Sequence, residues 1–310
     1  MNRIVISGEH DPCFNLALEE ELLSQADAGT MLYLWVNRPC VVLGRNQNPY
    51  LECDMDYLDR HGIELVRRRS GGGAVYQDLG NLNYTFINRE GEGDPELLRR
   101  VLLGMFGDLG VTAEYSGRND ILIKGRKISG QAGYCEGGNE YLHGTLMVRV
   151  NISHLAYSLR PSRMKLESKG VRSVESRVVN LSELVADIDM EQVKLLLIRH
   201  FIRIYGPSKP PVLRSAAQGK PKGQRLYESR SWIVDNCPEY TTMLEFPFLD
   251  GFLKLRLQIK EGFIARGQGS CDSLDVGDLS WMEKILKGRR FDREQIIKII
   301  TERGMNNECI

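Results

Sequence analysis

The chain has 310 residues, enough for one large domain with a sizeable core and a second, smaller domain. Its 41 lysines and arginines equal its 41 aspartates and glutamates, and this zero net charge argues against a nucleic-acid partner. The seven cysteines form no Cys-x-x-Cys pair, which argues against a structural zinc site and favours reduced thiols in the cytosol.

Export and membrane insertion are not expected either. The N-terminal stretch MNRIVISGEHDPCFN contains no apolar core of a signal peptide. Apolar runs elsewhere fall short of the roughly 20 residues that cross a membrane. We therefore expect a cytoplasmic protein with no membrane partner.

The chain before residue 67 alternates short apolar runs with amphipathic segments and polar turns. A polar loop at 44–49 follows a buried strand and is a candidate wall of a site, although an ordinary surface turn explains it equally well. In chain order, the apolar spacing predicts a strand at 4–6, a helix at 15–24, strands at 31–36 and 40–43, a helix at 54–61 and a strand at 63–66.

Residues 67–86, RRRSGGGAVYQDLGNLNYTF, carry the most distinctive pattern, with three consecutive glycines after three arginines and a serine. Glycine lets the backbone approach a ligand closely, and consecutive N–H groups in such a turn can cradle an anion. The arginines add forked donors that suit phosphate. Taken alone, a flexible hairpin beside solvated charges is an equally good explanation, and neither a Walker loop nor a G-x-G-x-x-G fingerprint is present. Strands are predicted at 74–76 and 82–86.

The middle of the chain supplies further cations and glycines, and one histidine, His143, near the start of a predicted strand. In chain order, we predict a helix at 95–109, a strand at 111–120, a hairpin at 121–129, flexible loops at 130–133 and 135–139, and a strand at 141–150.

The last 150 residues change composition twice. Residues 162–180 are polar and basic and are predicted to be mobile or on the surface, and residues 206–224 look like a linker rich in Pro, Gly and Lys. The other predicted elements are a helix at 190–205, an antiparallel sheet from 244–248, 253–259 and 263–267, and helices at 278–286 and 292–300. A domain boundary is therefore expected near residue 240.

The polar groups gain meaning only together. A hairpin lysine such as Lys127 is usually solvated, and a histidine such as His143 is more often structural than catalytic. With the glycine loop and the pair Asn119 and Asp120, however, they are the parts needed to activate a carboxylate with a nucleotide. Backbone N–H groups hold the phosphate, and a lysine neutralises the charge that builds as the carboxylate attacks. Such a reaction usually needs Mg²⁺ as well, although the sequence names no metal ligands.

Several blocks in the right order resemble the lipoate–protein ligase A family. They are RRRSGGGAVYQDLGNLN at 67–83, GRND at 117–120, RKISGQA at 126–132 and HGTL at 143–146, together with DPCFNLALEE at 11–20 and VLGRNQNPYLEC at 42–53. The resemblance covers nearly the whole chain. It implies an α+β protein with the biotin/lipoate protein ligase fold, which is related to that of class II aminoacyl-tRNA synthetases. A large catalytic domain at 1–240 would contain a mixed β-sheet flanked by helices, and a small C-terminal α+β accessory domain would occupy 241–310.

The resemblance also implies a reaction. Members of the family use ATP and Mg²⁺ to activate lipoate, or octanoate, to an acyl-AMP with release of pyrophosphate. They then transfer the acyl group to one lysine of an apo lipoyl domain. The implied partners are the small-molecule acid and apo lipoyl domains of 2-oxoacid dehydrogenase E2 subunits or the glycine-cleavage H protein.

Roles carried over from the family fall on matching positions of this sequence. Lys127 corresponds to the catalytic lysine, which contacts both ATP and the acid. Residues 162–180 resemble the loop that closes over the adenylate. The remaining ATP-binding positions are Arg68, Gly73, Ala74, Val75 and Tyr76. The lipoate-binding positions are Lys127, Ser70, Gly71 and Gly72, and Asn119, Asp120 and His143 are further candidates near the site.

Two features leave alternatives open. Many members have His where this chain has Gln77, and an amide can form hydrogen bonds but cannot carry charge. Octanoyltransferases of the same fold, which need no ATP, carry a nucleophilic cysteine three residues before the matching histidine, where this chain has Glu140. Cys135 is close enough in sequence to keep an octanoyl or lipoyl transferase as an alternative, and a non-catalytic lipoate-binding protein is the other.

Overall fold

The computed structural model describes residues 1–116, 119–159, 177–235, 239–249, 251–271 and 279–305. It divides into two compact units. The larger unit comprises Met1–Arg45 and Leu51–Glu228, and the smaller unit comprises Asn46–Tyr50 and the chain from Ser229 on. The domain ranges 1–240 and 241–310 stay a prediction.

Fourteen strands are present in the described residues. They are β1 (Arg3–Ser7), β2 (Met31–Trp35), β3 (Cys40–Leu43), β4 (Glu64–Arg67), β5 (Val75–Gln77), β6 (Asn81–Arg89), β7 (Glu114–Ser116), β8 (Asp120–Ile123), β9 (Arg126–Glu136), β10 (Asn139–Met147), β11 (Val212–Arg214), β12 (Tyr240–Phe248), β13 (Gly251–Lys260) and β14 (Phe263–Cys271).

The same part of the chain contains nine α-helices and three shorter helical turns. The α-helices are α1 (Pro12–Ser24), α2 (Pro49–Glu52), α3 (Met55–His61), α4 (Pro95–Asp108), α5 (Ile152–Ser158), α6 (Met190–Tyr205), α7 (Gln224–Glu228), α8 (Ser280–Leu286) and α9 (Arg293–Met305). The turns are 3₁₀-helical at Leu181–Glu183 and Ala216–Gln218 and π-helical at Ser231–Asp235.

The larger unit is built on an eight-stranded mixed sheet in the order β11-β1-β2-β6-β10-β9-β8-β7. β1 pairs in parallel with β11 and β2, and the remaining neighbours are antiparallel. A second sheet, β4-β3-β5, holds the glycine-rich stretch between β4 and β5. The prediction of an α+β unit with a mixed sheet flanked by helices is confirmed.

The core of this unit lies between the large sheet and the helices α4 and α6. Every residue of β2 is buried, which agrees with its unbroken apolar run MLYLW. On α4, the buried residues Leu98, Val101, Leu102, Met105 and Phe106 recur at helical spacing. Phe201 of α6 packs its ring 6.0 Å from that of Phe86 of β6.

Helix starts follow from local chemistry. Asp11 and Asp94 each accept hydrogen bonds from the first-turn N–H groups of α1 and α4, and a proline follows each of them. Proline is suited to the first helical position because its missing N–H would have no helical partner there. Asp189 and Gln192 form a reciprocal capping box at the start of α6.

Two sequence-based expectations are wrong. The loop predicted at 130–133 lies within β9, which continues to Glu136 because β10 pairs with it over residues 129–136, and the loop predicted at 135–139 is reduced to a turn at residues 137 and 138. Ladder hydrogen bonds here outweigh the low strand propensity of glycine. The predicted linker at 206–224 contains β11, whose residues pair with Val5–Ser7 at one edge of the large sheet.

The smaller unit has its own core. The antiparallel sheet β12-β13-β14 alternates buried and exposed residues and packs its apolar face against α8 and α9. Leu253, Leu255 and Leu257 of β13 are completely buried. The predicted sheet and its two helices are present. Within the described residues of the whole chain, no helix is both long and apolar enough to cross a membrane.

Candidate active site

A cavity of about 180 Å³ opens in the larger unit beside the glycine-rich stretch. Its lining combines charged and amide side chains with an apolar wall and four glycines. The polar members include Arg68, Gln77, Asn83, Asn119, Asp120, Lys127, Gln131, His143 and Thr145. The apolar wall includes Leu16, Trp35, Val42, Val75 and Ala132, and the glycines are Gly72, Gly73, Gly130 and Gly144.

The side chain of Arg68 shapes the glycine loop, which is defined here as residues 70–74. Its Nη2 donates to the carbonyl oxygens of Gly71 and Gly73 at 2.7 and 2.9 Å, and its Nε donates to Oγ of Ser70 at 2.9 Å. The loop carbonyls therefore turn towards Arg68. The backbone N–H groups of residues 71–74 find no acceptor among the described residues. An anion-binding concavity needs such a run of free N–H groups, and the anion site itself stays a prediction.

Gly44 allows the loop to lie against β3. A Cβ at this position would be 2.0 Å from the carbonyl oxygen of Gly72, so only glycine fits. The N–H groups of Gly44 and Arg45 donate to the carbonyl oxygens of Gly73 and Ser70. The first two residues of the polar loop at 44–49 thus hold the glycine loop in place through these hydrogen bonds.

Lys127 reaches the cavity because of a β-bulge. Asp120 pairs with Gly130 and Leu122 pairs with Lys127, so Ile128 is an extra residue in β9. If the same residues formed a regular strand, Lys127 would face the opposite side of the sheet from Gly130, since the two are three positions apart and side chains alternate along a strand. With the bulge, the Nζ of Lys127 lies 2.8 Å from Oδ1 of Asp120.

Gly130 provides the space that the lysine occupies. A Cβ at this position would lie 2.7 Å from Nζ and 2.9 Å from Cε of Lys127. The side chain of Lys127 is 39% exposed, so its charged end remains accessible from the cavity. Its backbone is fixed on the other side by bonds to Arg177 and Val179. The partly exposed side chain of Lys127 therefore lines the cavity, whereas a solvated hairpin lysine would lie on the open surface.

Both ring nitrogens of His143 have partners. Nδ1 lies 3.0 Å from Oε1 of Glu19 and Nε2 lies 2.9 Å from Oγ of Ser70. The ring is 8% exposed where it lines the cavity. This arrangement favours a structural histidine over a general base, because neither nitrogen has a lone pair or proton left for a substrate.

Gln77 belongs to a buried network of amides. Its Oε1 accepts from Nδ2 of Asn37 at 2.9 Å, and its Nε2 donates to Oδ1 of Asn83 at 2.8 Å. Asn37 in turn accepts from Asn15 of α1. The side chain at position 77 therefore forms hydrogen bonds and lines the cavity without needing charge.

Cys135 does not have the environment of a nucleophile. It is exposed near the end of β9 and lies outside the cavity lining. Desolvation and the neighbouring carboxylates of Glu140 and Glu90 raise the pKa of its thiol. A reactive cysteine needs the opposite, a nearby cation or helix N-terminus that lowers the pKa.

Eight of the predicted site residues line one cavity, namely Arg68, Gly72, Gly73, Val75, Asn119, Asp120, Lys127 and His143. Ser70, Gly71, Ala74 and Tyr76 do not line it. The side chain of Tyr76 packs into the core on the opposite face of β5 from Val75 and Gln77, so only its backbone could reach a ligand there. Gly117 and Arg118 of the GRND block lie outside the described residues, as do residues 162–176 of the predicted adenylate loop.

Sequence reasoning missed the apolar wall. Leu16, Trp35 and Val42 come from three separate elements, and each was interpreted only as a core residue. Alternation along a strand cannot separate a residue that packs in a core from one that borders a cavity. No sequence signal would have singled them out.

Comparison with known proteins places this geometry in a family. The lipoyl protein ligase A/B catalytic domain matches residues 11–202, and the bacterial lipoate protein ligase C-terminus matches residues 237–308. Lipoate-protein ligase A of Blochmanniella pennsylvanica (strain BPEN) is 38% identical over 306 residues, which are 95% of this chain and 90% of that protein. The chain belongs to the lipoate–protein ligase A family. The sequence-based prediction of a lipoate–protein ligase is confirmed.

Solved structures of lipoate ligases share the fold. A bipartite lipoate protein ligase from Thermoplasma acidophilum, studied with its E2 lipoyl domain, aligns with a TM-score of 0.66 at 26% identity and covers 75% of this chain and 95% of that one. LipL1 of P. falciparum, in complex with lipoate, aligns with a TM-score of 0.65 at 26% identity and covers 97% and 94%.

Proposed function

We propose that the cavity holds the carboxylate of lipoate beside the phosphates of ATP, and that Lys127 acts at their junction. The observation that carries this proposal is the position of Lys127 in the same cavity as the glycine loop. The loop offers consecutive N–H groups to phosphate oxygens. The lysine offers a positive charge, which reduces the repulsion between the carboxylate and the phosphates when they are brought together.

The chemistry of adenylation follows from this arrangement. A carboxylate oxygen of lipoate attacks the α-phosphorus of ATP, the bond to the β-phosphate oxygen breaks, and pyrophosphate leaves. Lys127 neutralises negative charge on both reactants and on the transition state. Its ammonium group can do so because it can exchange its ion pair with Asp120 for one with a phosphate of ATP. In the second step, the amine of the acceptor lysine attacks the acyl carbon, AMP leaves, and the nitrogen loses a proton.

The apolar wall is proposed to bind the hydrocarbon part of the acid. Leu16, Trp35 and Val42 supply apolar surface to the cavity, and this surface suits the hydrocarbon chain of lipoate or octanoate. Gly144 leaves room for a core side chain beside the cavity, since a Cβ at position 144 would lie 2.3 Å from Oη of the buried Tyr84.

The donor set fits a magnesium ion that is shared with the nucleotide. Among the described residues, no group of three or more His, Cys, Asp or Glu side chains is placed to hold a metal alone. Mg²⁺ is usually bound by one or two carboxylates together with substrate phosphates and water. Asp120 supplies one carboxylate in the cavity, with Asn119 next to it. Bound there, the ion would neutralise phosphate charge.

The acceptor is proposed to be an apo lipoyl domain. The relative from Thermoplasma acidophilum was studied with its E2 lipoyl domain. Lipoyl domains of 2-oxoacid dehydrogenase E2 subunits and the glycine-cleavage H protein are the candidates, and each offers the lysine amine that the second step needs.

The two alternatives are less well supported. A thioester route through Cys135 would need a thiol in the cavity, whereas this thiol lies outside it with a raised pKa. Cys135→Ala is expected to leave ATP-dependent transfer unchanged in a mass assay of the acceptor. Abolished transfer, with ATP found unnecessary, would overturn the ligase proposal. A non-catalytic binding protein would not need Lys127 at the meeting point of the two ligands.

Substitution of Lys127 tests the proposal directly. Lys127→Ala should lower the rate of lipoate-dependent pyrophosphate release by about a hundredfold, since one charge-stabilising donor contributes about 3 kcal/mol to a transition state. The melting temperature should be unchanged, because the side chain is partly exposed.

Lys124→Ala is the matched control, since Lys124 lies exposed at the tip of the same hairpin. Its rate should match that of the native chain. Equal rates for Lys127→Ala and Lys124→Ala would show that Lys127 has no part in adenylation.

A further inference from the structure

A buried line of hydrogen bonds connects helix α1 to the glycine loop. Oε1 of Glu19 accepts from Oγ1 of Thr85 at 2.6 Å and lies 3.0 Å from Nδ1 of His143. Nε2 of His143 lies 2.9 Å from Oγ of Ser70, which accepts from Nε of Arg68 at 2.9 Å. Glu19 is 2% exposed and does not line the cavity, so its only route to a ligand is through these neighbours.

We propose that Glu19 is a positioning residue that fixes the proton of His143 on Nδ1 and thereby holds the glycine loop in its conformation. A carboxylate oxygen 3.0 Å from Nδ1 requires a donor there, because two lone pairs would repel each other. The state of Nε2 then depends on Ser70.

The hydrogen bonds of Ser70 distinguish a neutral from a charged imidazole at His143. Its side chain is fully buried, and Oγ already accepts from Arg68. Its hydrogen has one acceptor among the described residues, the unprotonated Nε2 of His143. A proton on Nε2 would leave the hydroxyl of Ser70 buried without an acceptor, and an unmade buried hydrogen bond is costly. Each polar hydrogen in this line of hydrogen bonds therefore has an acceptor only if His143 is neutral and protonated on Nδ1.

The same line connects two opposite charges. Arg68 is buried, and burial lowers its pKa to about 10, so it remains charged at neutral pH. Glu19 supplies the opposite charge across two neutral side chains, His143 and Ser70. A buried charge that loses its counter-charge is strongly destabilised. Removing Glu19 would therefore destabilise the charged Arg68 in the position from which it holds the glycine loop.

The consequence falls on the nucleotide. Arg68 holds the carbonyls of Gly71 and Gly73, and this orientation leaves the loop N–H groups free. This inference rests on the proposed function, in which those N–H groups bind phosphates of ATP. Loss of Glu19 should thus weaken ATP binding more than the chemical step.

The protonation of His143 can be observed without any activity. The chain has five histidines, so ¹⁵N-histidine labelling gives few ring signals, and a His143→Gln variant assigns the relevant pair. In the native chain, two-bond ¹H–¹⁵N spectra should show His143 neutral and protonated on Nδ1. Glu19→Ala should remove this signature, whereas Glu21→Ala, on the same helix but paired with Arg214, should retain it. A proton on Nε2 in the native chain, or an unchanged signature in Glu19→Ala, would overturn the proposal.

Kinetics supply the second readout. Glu19→Ala should raise the KM for ATP in pyrophosphate release about tenfold and change kcat by less than about twofold, while Glu21→Ala changes neither. An equal KM in the two variants contradicts the proposal. If Glu19→Ala does not fold, Ser70→Ala breaks the same line by removing one hydroxyl and should raise the KM likewise; an unchanged KM contradicts it. A native chain that releases no pyrophosphate refutes the proposed function, while the spectra still decide the role of Glu19.

Discussion

Arg67, Arg68 and Arg69 are adjacent in the chain, yet each guanidinium binds a different part of the fold. Arg67 is fully buried and donates to the carbonyls of Gly44 and Arg45. Arg68 organises the glycine loop, and Arg69 forms an ion pair with Glu20 of α1 at 2.7 Å. The sequence predicted forked donors for phosphate. The structure uses most of the donors of Arg67 and Arg68 to hold backbone carbonyl oxygens of the glycine loop and of the segment beside it.

Gln77 is the residue at which this chain departs from many relatives. Gln77→Leu should reduce the free energy of unfolding in urea by about 1–3 kcal/mol, because it removes the hydrogen bonds that the side chain forms with Nδ2 of Asn37 and Oδ1 of Asn83 inside a buried network. Gln25→Leu is the control, since Gln25 is exposed and the same change there should fall within about 0.5 kcal/mol. Equal losses in the two variants would mean that the amide network adds no stability.

At the scale of elements, β9 shows what a sequence pattern can and cannot specify. The hairpin around Lys124 was predictable because its turn residues are a local signal. The bulge at Ile128 was not, since it depends on how β8 and β9 pair, and it decides which face Lys127 occupies. Most helices and strands could likewise be predicted from apolar spacing. β11 could not, because its three residues become a strand only beside β1.

Gly130 offers a test of the geometry of β9. Gly130→Ala should lower the rate of pyrophosphate release at least about tenfold, since its Cβ would displace the end of Lys127 and small misplacements of a catalytic group are costly. The melting temperature should change little, because a flexible lysine end can move aside. On the same strand, a Cβ at Gly133 would meet its neighbours at 3.5 Å or more, so Gly133→Ala should affect neither quantity. Full activity in Gly130→Ala would place the working position of Lys127 elsewhere.

For the whole molecule, the site is assembled from distant parts of the chain. Residues from Leu16 to Thr145 line one cavity, and they come from α1, both sheets of the larger unit and the loops between them. The polar members could be predicted because charged and glycine-rich blocks stand out in sequence. The apolar wall and Glu19 could not, because burial and long-range pairing alone distinguish them from ordinary core and surface residues.

We infer that this chain joins lipoate to a protein lysine at the expense of ATP. The most direct measurement is the mass of an apo lipoyl domain after incubation with the chain, Mg²⁺ and lipoate, with and without ATP. We expect the domain to gain one lipoyl group only when ATP is present, and Lys127→Ala should transfer that group about a hundredfold more slowly. Transfer without ATP, or equal transfer by Lys127→Ala, would contradict this inference.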